Sequence, residues 1–278
     1  MQVVAAIEAL RALRGALPAP VGLVPTMGAL HRGHTAIVRR AHAECASIIV
    51  SIFVNPLQFG PNEDYTRYPR PAEADAALLA AEHADVLFQP SVQAMYPDQP
   101  VVVVDPGRLG AFFEGERRPG HFRGVATIVL KLLQITQPDR AYFGRKDAQQ
   151  LAIIKRMVRD FDLSTTIIGC ETVREPDGLA LSSRNVYLDD AQRAAAPGLH
   201  RALQQVADAL SRGQREIEPL LEPAARLLPP LRADYLGVVD PRDFAPLAQA
   251  PAGAQLLVLG AAFAGNTRLI DNIEVNTP

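Results

Sequence analysis

Over the first 170 residues, short apolar runs alternate with longer stretches of helical period, and few architectures accept that pattern. Val21–Val24, Ser47–Val54, Ala84–Phe88, Val101–Val104, Arg140–Phe143 and Thr165–Cys170 read as strands. Residues 2–14, 33–46, 71–83, 121–136 and 146–161 read as helices. Strands that alternate with helices pair in parallel and need both faces of their sheet covered, so the expected class is α/β. Ligands of such sheets gather beyond the carboxyl ends of the strands. No Gly-x-Gly-x-x-Gly follows the first strand, so a standard dinucleotide site is not supported. After Asn185 the pattern changes. Leu188–Arg212 and Ile217–Leu228 read as helices. Ala233–Val239, Ala254–Ala264 and Thr267–Val275 then alternate as antiparallel strands, with Gly265-Asn266 as a hairpin turn. The expected division is 1–185, the α/β domain, and 186–278, a smaller α+β domain.

Length and charge narrow the function. A chain of 278 residues, 48% hydrophobic, can bury a sizeable core. Its net charge of −2 argues against a protein that coats nucleic acid. No apolar run approaches the ~20 residues of a membrane span, and residues 2–14 lack the apolar core of a secretory leader. Cys45 and Cys170 form no spacing motif and read as small buried hydrophobes of a reducing compartment. The expectation is a cytoplasmic enzyme with no nucleic-acid or membrane partner.

The most informative segment is Pro25-Thr26-Met27-Gly28-Ala29-Leu30-His31-Arg32-Gly33-His34, between a strand and a helix. The free N–H groups and dipole of a helix start favour an anion. His31 and His34, spaced i, i+3, share a face, and Gly33 lets a phosphate or a flat ring approach the backbone. Zinc would need a third or fourth protein ligand, and none is near in sequence. A His at a helix N-terminus has its neutral form favoured, which suits it to donate a hydrogen bond.

Three further segments carry polar groups at segment ends. Phe53 to Tyr65 is a Gly/Pro-rich loop after the second strand, and its Gln58 can donate and accept at once. Phe143-Gly144-Arg145-Lys146-Asp147-Ala148-Gln149-Gln150 repeats the strand-to-helix logic. Lys146 offers a charge for phosphate, Asp147 a cap or a ribose contact, and Gln150 a group one turn into the helix. Leu181-Ser182-Ser183-Arg184-Asn185 follows the turn Glu175-Pro176-Asp177-Gly178 and could stabilise charge on a leaving group. In Arg117-Arg118-Pro119-Gly120-His121-Phe122-Arg123-Gly124 the arginines could meet a phosphate or carboxylate, while a lone His reads as structural.

Taken in order, these segments resemble the pantoate–β-alanine ligase family over nearly the whole chain. The first also resembles the wider adenylyl-transferring superfamily that includes class I aminoacyl-tRNA synthetases. The Phe-Val-Asn-Pro-Leu-Gln-Phe, Gly-His-Phe-Arg-Gly-Val, Phe-Gly-x-Lys-Asp-x-Gln-Gln and Leu-Ser-Ser-Arg-Asn elements narrow it. Arg145 stands where the family often has an acidic or polar residue, and Pro56 in a variable slot. The resemblance implies a Rossmann-like ATP domain, a C-terminal lid, Mg²⁺ dependence and a homodimer. It implies ATP-driven joining of pantoate to β-alanine through a pantoyl adenylate. It places Met27, Gly28, Ala29, Leu30, His31, Arg32, Gly33 and His34 at ATP, with Gly144, Arg145, Lys146, Asp147, Val173, Leu181, Ser182, Ser183 and Arg184. Gln58 would hold pantoate and β-alanine, and Gln150 pantoate. His34, the family's assigned proton donor, would be catalytic with His31, Lys146 and Arg184. No residue is assigned to the metal. Two other readings remain: a nucleotidylyltransferase of the same superfamily, and a non-catalytic nucleotide-binding module.

Overall fold

The computed structural model describes residues 1–61 and 63–278; Asn62, inside the loop read as functional, lies outside the described residues. Six strands form a parallel sheet: β1 (Gln2–Val4), β2 (Val21–Thr26), β3 (Ser47–Ile52), β4 (Val86–Phe88), β5 (Arg140–Gly144) and β6 (Thr166–Cys170). Their order is β1-β4-β3-β2-β5-β6. Three more, β7 (Arg232–Val239), β8 (Gln255–Ala264) and β9 (Thr267–Asn276), form a separate antiparallel sheet. The helices are α1 (Ile7–Arg14), α2 (Arg32–Glu44), α3 (Ala72–Ala81), the one-turn α4 (Val92–Met95) and α5 (Glu114–Arg117), α6 (His121–Thr136) and α7 (Ala148–Asp160). The last three are α8 (Asp190–Ala195), α9 (Gly198–Ser211) and α10 (Glu218–Ala225).

The expected α/β class with a smaller α+β part is the architecture found. The chain divides into two compact units, Met1–Arg145 with Ile153–Glu171, and Lys146–Ala152 with Thr172–Pro278. In the first, Val38 and Ala41 of α2 and Leu79 of α3 pack with Val24, Ile48, Val50 and Leu87 of the sheet. Each such aliphatic side chain contributes about 1.5–3 kcal/mol by leaving water. In the second, Leu199, Ala202, Leu203, Val206 and Leu210 of α9 pack with Leu256, Val258 and Ala262 of β8 and Leu269 and Val275 of β9. The hairpin expected at Gly265-Asn266 joins β8 to β9 in full register, from Gln255↔Asn276 to Ala264↔Thr267.

Three local expectations fail. Residues 2–14 are not one helix, because Gln2–Val4 pair in parallel with Val86–Phe88 before α1 begins. Val101–Val104 form no strand. The outer side of β4 is already taken by β1, and Val101 and Val102 are left 94% and 88% exposed. Leu188–Arg212 is two helices, broken at Pro197, which cannot donate the backbone bond a continuous helix needs.

The sheet's order fixes where a ligand goes. From β2 the chain moves to β3 on one side, and later returns to β5 on the other. Between β2 and β5 the order reverses, and the crevice beyond the carboxyl ends of such a pair is the usual site. Leu23 pairs with Ala141, and each strand then has three residues left before its end. The His-bearing turn and the Gly144-Arg145 turn therefore leave neighbouring strands at the same edge.

Candidate active site

The turn after β2 is built by backbone freedom and one distant acid. Gly28 has φ +84°, and a Cβ there would stand 2.9 Å from Asp75 Oδ2. Ala29 follows at φ +50°, a left-handed conformation that costs a non-glycine residue about 1–2 kcal/mol. The buried carboxylate of Asp75, on α3, compensates. Its Oδ2 accepts from Ala29 N and its Oδ1 from Leu30 N, both at 2.8 Å. The turn so held delivers His31 to the start of α2.

The two histidines then cap their own helix. Gly33 N donates to His31 Nδ1 at 3.1 Å, and His31 N donates to His34 Nδ1 at 3.3 Å. The rings lie 4.1 Å apart, centroid to centroid. Each Nδ1 uses its lone pair to accept, so each neutral ring carries its proton on Nε2. The capping fixes the tautomer that presents N–H donors, in the way expected of neutral rings at a helix start.

Gln58 sits in the 3₁₀ turn Pro56–Gln58 and is buried. Asn55, also buried, sets its orientation. Asn55 Oδ1 accepts from Leu57 N (3.3 Å) and from Tyr96 Oη (3.0 Å), so its amide nitrogen faces the other way. That nitrogen donates to Gln58 Oε1 and to Gly124 O, both at 3.1 Å. Burial pushes the Tyr96 phenol up, which keeps it a donor. Gln58 Nε2 is left donating to Met27 Sδ at 3.1 Å. A Cβ at Gly124 would overlap the Leu57 carbonyl, so α6 approaches this turn only because residue 124 is glycine.

The basic loop does not present a free arginine at position 118. Arg118 donates from Nε to Glu63 Oε1 (2.8 Å) and from Nη2 to Glu63 Oε2 (2.7 Å). Its Nη1 lies 3.0 Å from His121 Nε2. Arg118 can only donate, so His121 Nε2 accepts, and Nδ1–H donates to Gln58 O at 2.8 Å. Burial and then the Arg118 charge lower the His121 pKa to about 4, which keeps this ring neutral. Burial works to raise the Glu63 carboxyl, and the Arg118 hydrogen bond and charge more than offset it, leaving it below its usual range. His121 thus supports the Gln58 backbone.

The later segments belong to the second unit, apart from Gly144 and Arg145. Arg145 Nη1 pairs with Glu171 Oε1 at 3.0 Å. Lys146 is half-buried, with Nζ 3.9 Å from Asp147 Oδ1. Asp147 O accepts the first bond of α7 from Leu151 N, and Gln150 stands in the first turn of that helix. Gln149, which the sequence did not distinguish, is the more buried of the two glutamines. Val173 O accepts from Leu181 N at 3.0 Å, and Arg174 bridges Ala180, so Val173 and Leu181 face each other across a short hairpin. Ser182 Oγ then accepts from Arg184 N (3.3 Å) and starts the 3₁₀ turn Ser183–Tyr187. Asn185 Nδ2 ties that turn to Ala180 O at 3.1 Å.

Among the described residues no three His, Cys, Asp or Glu side chains gather as a metal set, and no helix is long and apolar enough to cross a membrane. The first unit offers imidazole and carboxamide donors, and the second offers ammonium, guanidinium, hydroxyl and carboxamide donors; each set suits phosphate and carboxylate oxygens.

Known proteins are similar to this chain in sequence and in fold. The pantoate-beta-alanine ligase family model matches residues 2–274. The pantothenate synthetase of Thermobifida fusca (strain YX) is 50% identical over 277 residues, 96% of this chain and 92% of that one. A crystal structure of pantothenate synthetase from Thermus thermophilus superposes with a TM-score of 0.92 at 50% identity, covering 100% of both chains. That of pantoate-beta-alanine ligase from Francisella tularensis, complexed with beta-gamma ATP and beta-alanine, gives 0.82 at 38% identity, covering 98% of this chain and 97% of that one. A match over nearly all of the chain, in sequence and in fold, places it in the pantoate–β-alanine ligase family.

Proposed function

We propose that this chain joins pantoate to β-alanine in two half-reactions driven by ATP. A pantoate carboxylate oxygen attacks the α-phosphorus, and the α–β bridging bond breaks with its electron pair leaving on pyrophosphate. The β-alanine amine then attacks the acyl carbon of pantoyl adenylate, and the acyl–oxygen bond breaks to release AMP. The observation that carries this reading is the self-capped histidine pair at the sheet's switch point, with both Nε2–H groups as donors. Donors fixed before the reaction stabilise charge that develops on phosphate oxygens without reorganising. His34 in this reading gives a hydrogen bond, since its Nδ1 is already committed to the cap.

Lys146, Ser182, Ser183 and Arg184 are assigned to the β- and γ-phosphates, where pyrophosphate gathers charge. Met27 to His34, Gly144, Arg145, Asp147, Val173 and Leu181 complete the assigned nucleotide contacts. Gln58 and Gln150 are assigned to pantoate, Gln58 also to β-alanine. Met27 sulfur is a weak acceptor, so a substrate oxygen displaces it from Gln58 Nε2. The assigned side-chain donors are cationic or neutral, so Mg²⁺ would come with the nucleotide and, when bound, would neutralise phosphate charge. The Francisella relative, with beta-gamma ATP and beta-alanine bound, supports the choice of substrates. Residues 1–185 are read as the ATP and pantoate domain and 186–278 as the lid. A homodimer in the cytoplasm completes the reading, with the exposed Val101 and Val102 as apolar surface available to it.

The test is a product assay. ATP with pantoate should give pyrophosphate in a single turnover, and AMP should appear only when β-alanine is added. A nucleotidylyltransferase would release pyrophosphate with a phosphate acceptor and give no AMP. A binding module would give neither.

A further inference from the structure

Asp271 and Asn272 are neighbours on β9, and no motif singled them out. Successive residues of a strand point to opposite faces of its sheet. Asp271 lies on the face packed by α9, level with Leu269 and Val275 in that core, and it is 5% exposed. Arg174 meets it with both ends of its fork, Nη1 to Oδ2 at 2.6 Å and Nη2 to Oδ1 at 2.8 Å. The same guanidinium donates to Gly178 O (3.0 Å) and to Asn272 O (3.3 Å). Arg174 thus fastens the hairpin 173–181, which carries Ser182 to Arg184, onto β9. His200 on α9 closes the cluster, with Nδ1 3.4 Å from Asp271 Oδ2. Burial works to raise the Asp271 carboxyl, and His200 and Arg174 hold it below the usual carboxylate range.

Asn272 faces the other way, is 8% exposed, and donates from Nδ2 to Lys146 O at 2.9 Å. That bond spans 126 residues. One dipeptide of one strand therefore holds two segments that arrive from distant parts of the chain, on opposite faces of the sheet. Both segments bear the charges assigned above to the leaving phosphates.

We propose that Asp271 and Asn272 are positioning residues for ATP use, fixing Lys146 and the Ser182–Arg184 turn to a common strand. The proposal rests on the ATP assignment of Lys146 and Arg184. An Asp–Asn pair suits the task because a carboxylate matches the guanidinium fork and a carboxamide supplies the donor that a backbone carbonyl needs. Positioning of this kind matters most in the transition state, where small displacements of a charge are felt most strongly.

The test is two double-mutant cycles in the full-length enzyme. Asn272→Asp keeps the size and removes the donor. It should raise the KM for ATP or lower single-turnover pyrophosphate release by roughly 5–30-fold, the range for one buried hydrogen bond lost. The KM for pantoate should move less than about twofold, and the effect should vanish on a Lys146→Ala background, since the bond then positions nothing. Asp271→Asn should behave likewise and lose its effect on an Arg184→Ala background. Equal changes for both substrates, or full additivity in the cycles, would overturn the proposal. If Lys146→Ala and Arg184→Ala alone leave pyrophosphate release unchanged, the ATP assignment fails and the proposal falls with it. If they slow release without coupling to the β9 variants, only the positioning role falls. Asn272→Ala is the second variant at that position; loss of the folded circular dichroism signal in both marks the contact as structural only and also overturns it.

Discussion

The turns that leave β2 and β5 stand side by side and are built by different means. Asp75 anchors the start of the β2 turn, and its histidine end holds itself. His31 and His34 cap the helix they begin, and both bonds span three residues or fewer. The segment that follows β5, from Lys146 on, is held from a distance within the second unit, where Asn272 of β9 donates to Lys146 O. A self-capped turn keeps its geometry wherever its strand is. A turn anchored by a distant strand keeps its geometry only while that strand is folded. The first kind suits groups whose tautomer must be fixed, and the second suits charges that must be set relative to other charges. The difference also decides which residues a sequence can betray.

The largest expected effect belongs to the two rings. His34→Ala and His31→Ala should each slow pyrophosphate release by roughly 10²–10³-fold, the scale for one lost transition-state donor. His31→Ala should also lose about 1 kcal/mol of stability with its cap. His31→Asn separates the two roles, since asparagine caps well but places no donor where Nε2–H stood. Thermal unfolding near the wild-type midpoint together with slow release is the expected outcome. Recovery of the rate in His31→Asn would reduce that ring to a cap.

Asp75 holds the β2 turn from far along the chain. Asp75→Ala strands two backbone N–H groups beside a strained Ala29, and the expected loss is on the order of 3 kcal/mol. Urea unfolding measures it. Asp75→Asn, which can keep one acceptor, should lose less. A loss under about 0.5 kcal/mol in the alanine variant, the range of ordinary surface changes, would mean the turn holds itself completely.

Much of the fold was legible because alternation of strand and helix is a local property. The helix over 121–136 and the β8–β9 hairpin are where their periodicity and turn signals put them. Val101–Val104 misled because apolar content marks a strand without naming its partner, and β1 already held the free edge. The His pair, Lys146 and the Ser-Ser-Arg turn stood out as residue types at segment ends. Asp75, Asn55, Asn272 and His121 were not given site roles, and the reason is shared. Each has a partner far along the chain, 45 or 46, 69, 126 and 63 residues away, and no pattern of composition specifies a contact at that range. Two signals were present nonetheless. Asn55 before Pro56 is a capping pattern, and Gly124 inside a helix asks what needs to approach it so closely.

His121 gives the smallest effect, and the one most specific to the loop that holds Gln58. Its folded pKa of about 4 lies below the 6.5 of an exposed imidazole. The unfolded chain therefore binds a proton at a pH where the folded chain does not, and stability falls as pH drops through that window. The contribution is complete above about pH 6.5 and is lost progressively toward pH 4. At about pH 5.5 the loss relative to pH 8 should be about 1 kcal/mol. Arg118, Glu114 and Glu63 face the ring and set its environment. His121→Gln can keep a donor toward Gln58 O without titrating. Urea unfolding of both proteins from about pH 8 to 4.5 isolates the ring, because the other titrating groups are common to the two. The wild-type advantage should shrink by that amount by about pH 5.5 and by roughly twice as much at about pH 4.5. A pH-independent difference would mean the ring titrates in the fold as it does in the unfolded chain, so that at low pH it is charged and cannot accept from Arg118. The clamp on Gln58 would then run through Arg118 Nη2, 3.4 Å from Gln58 O, and the loop would owe its position to the guanidinium instead of the imidazole.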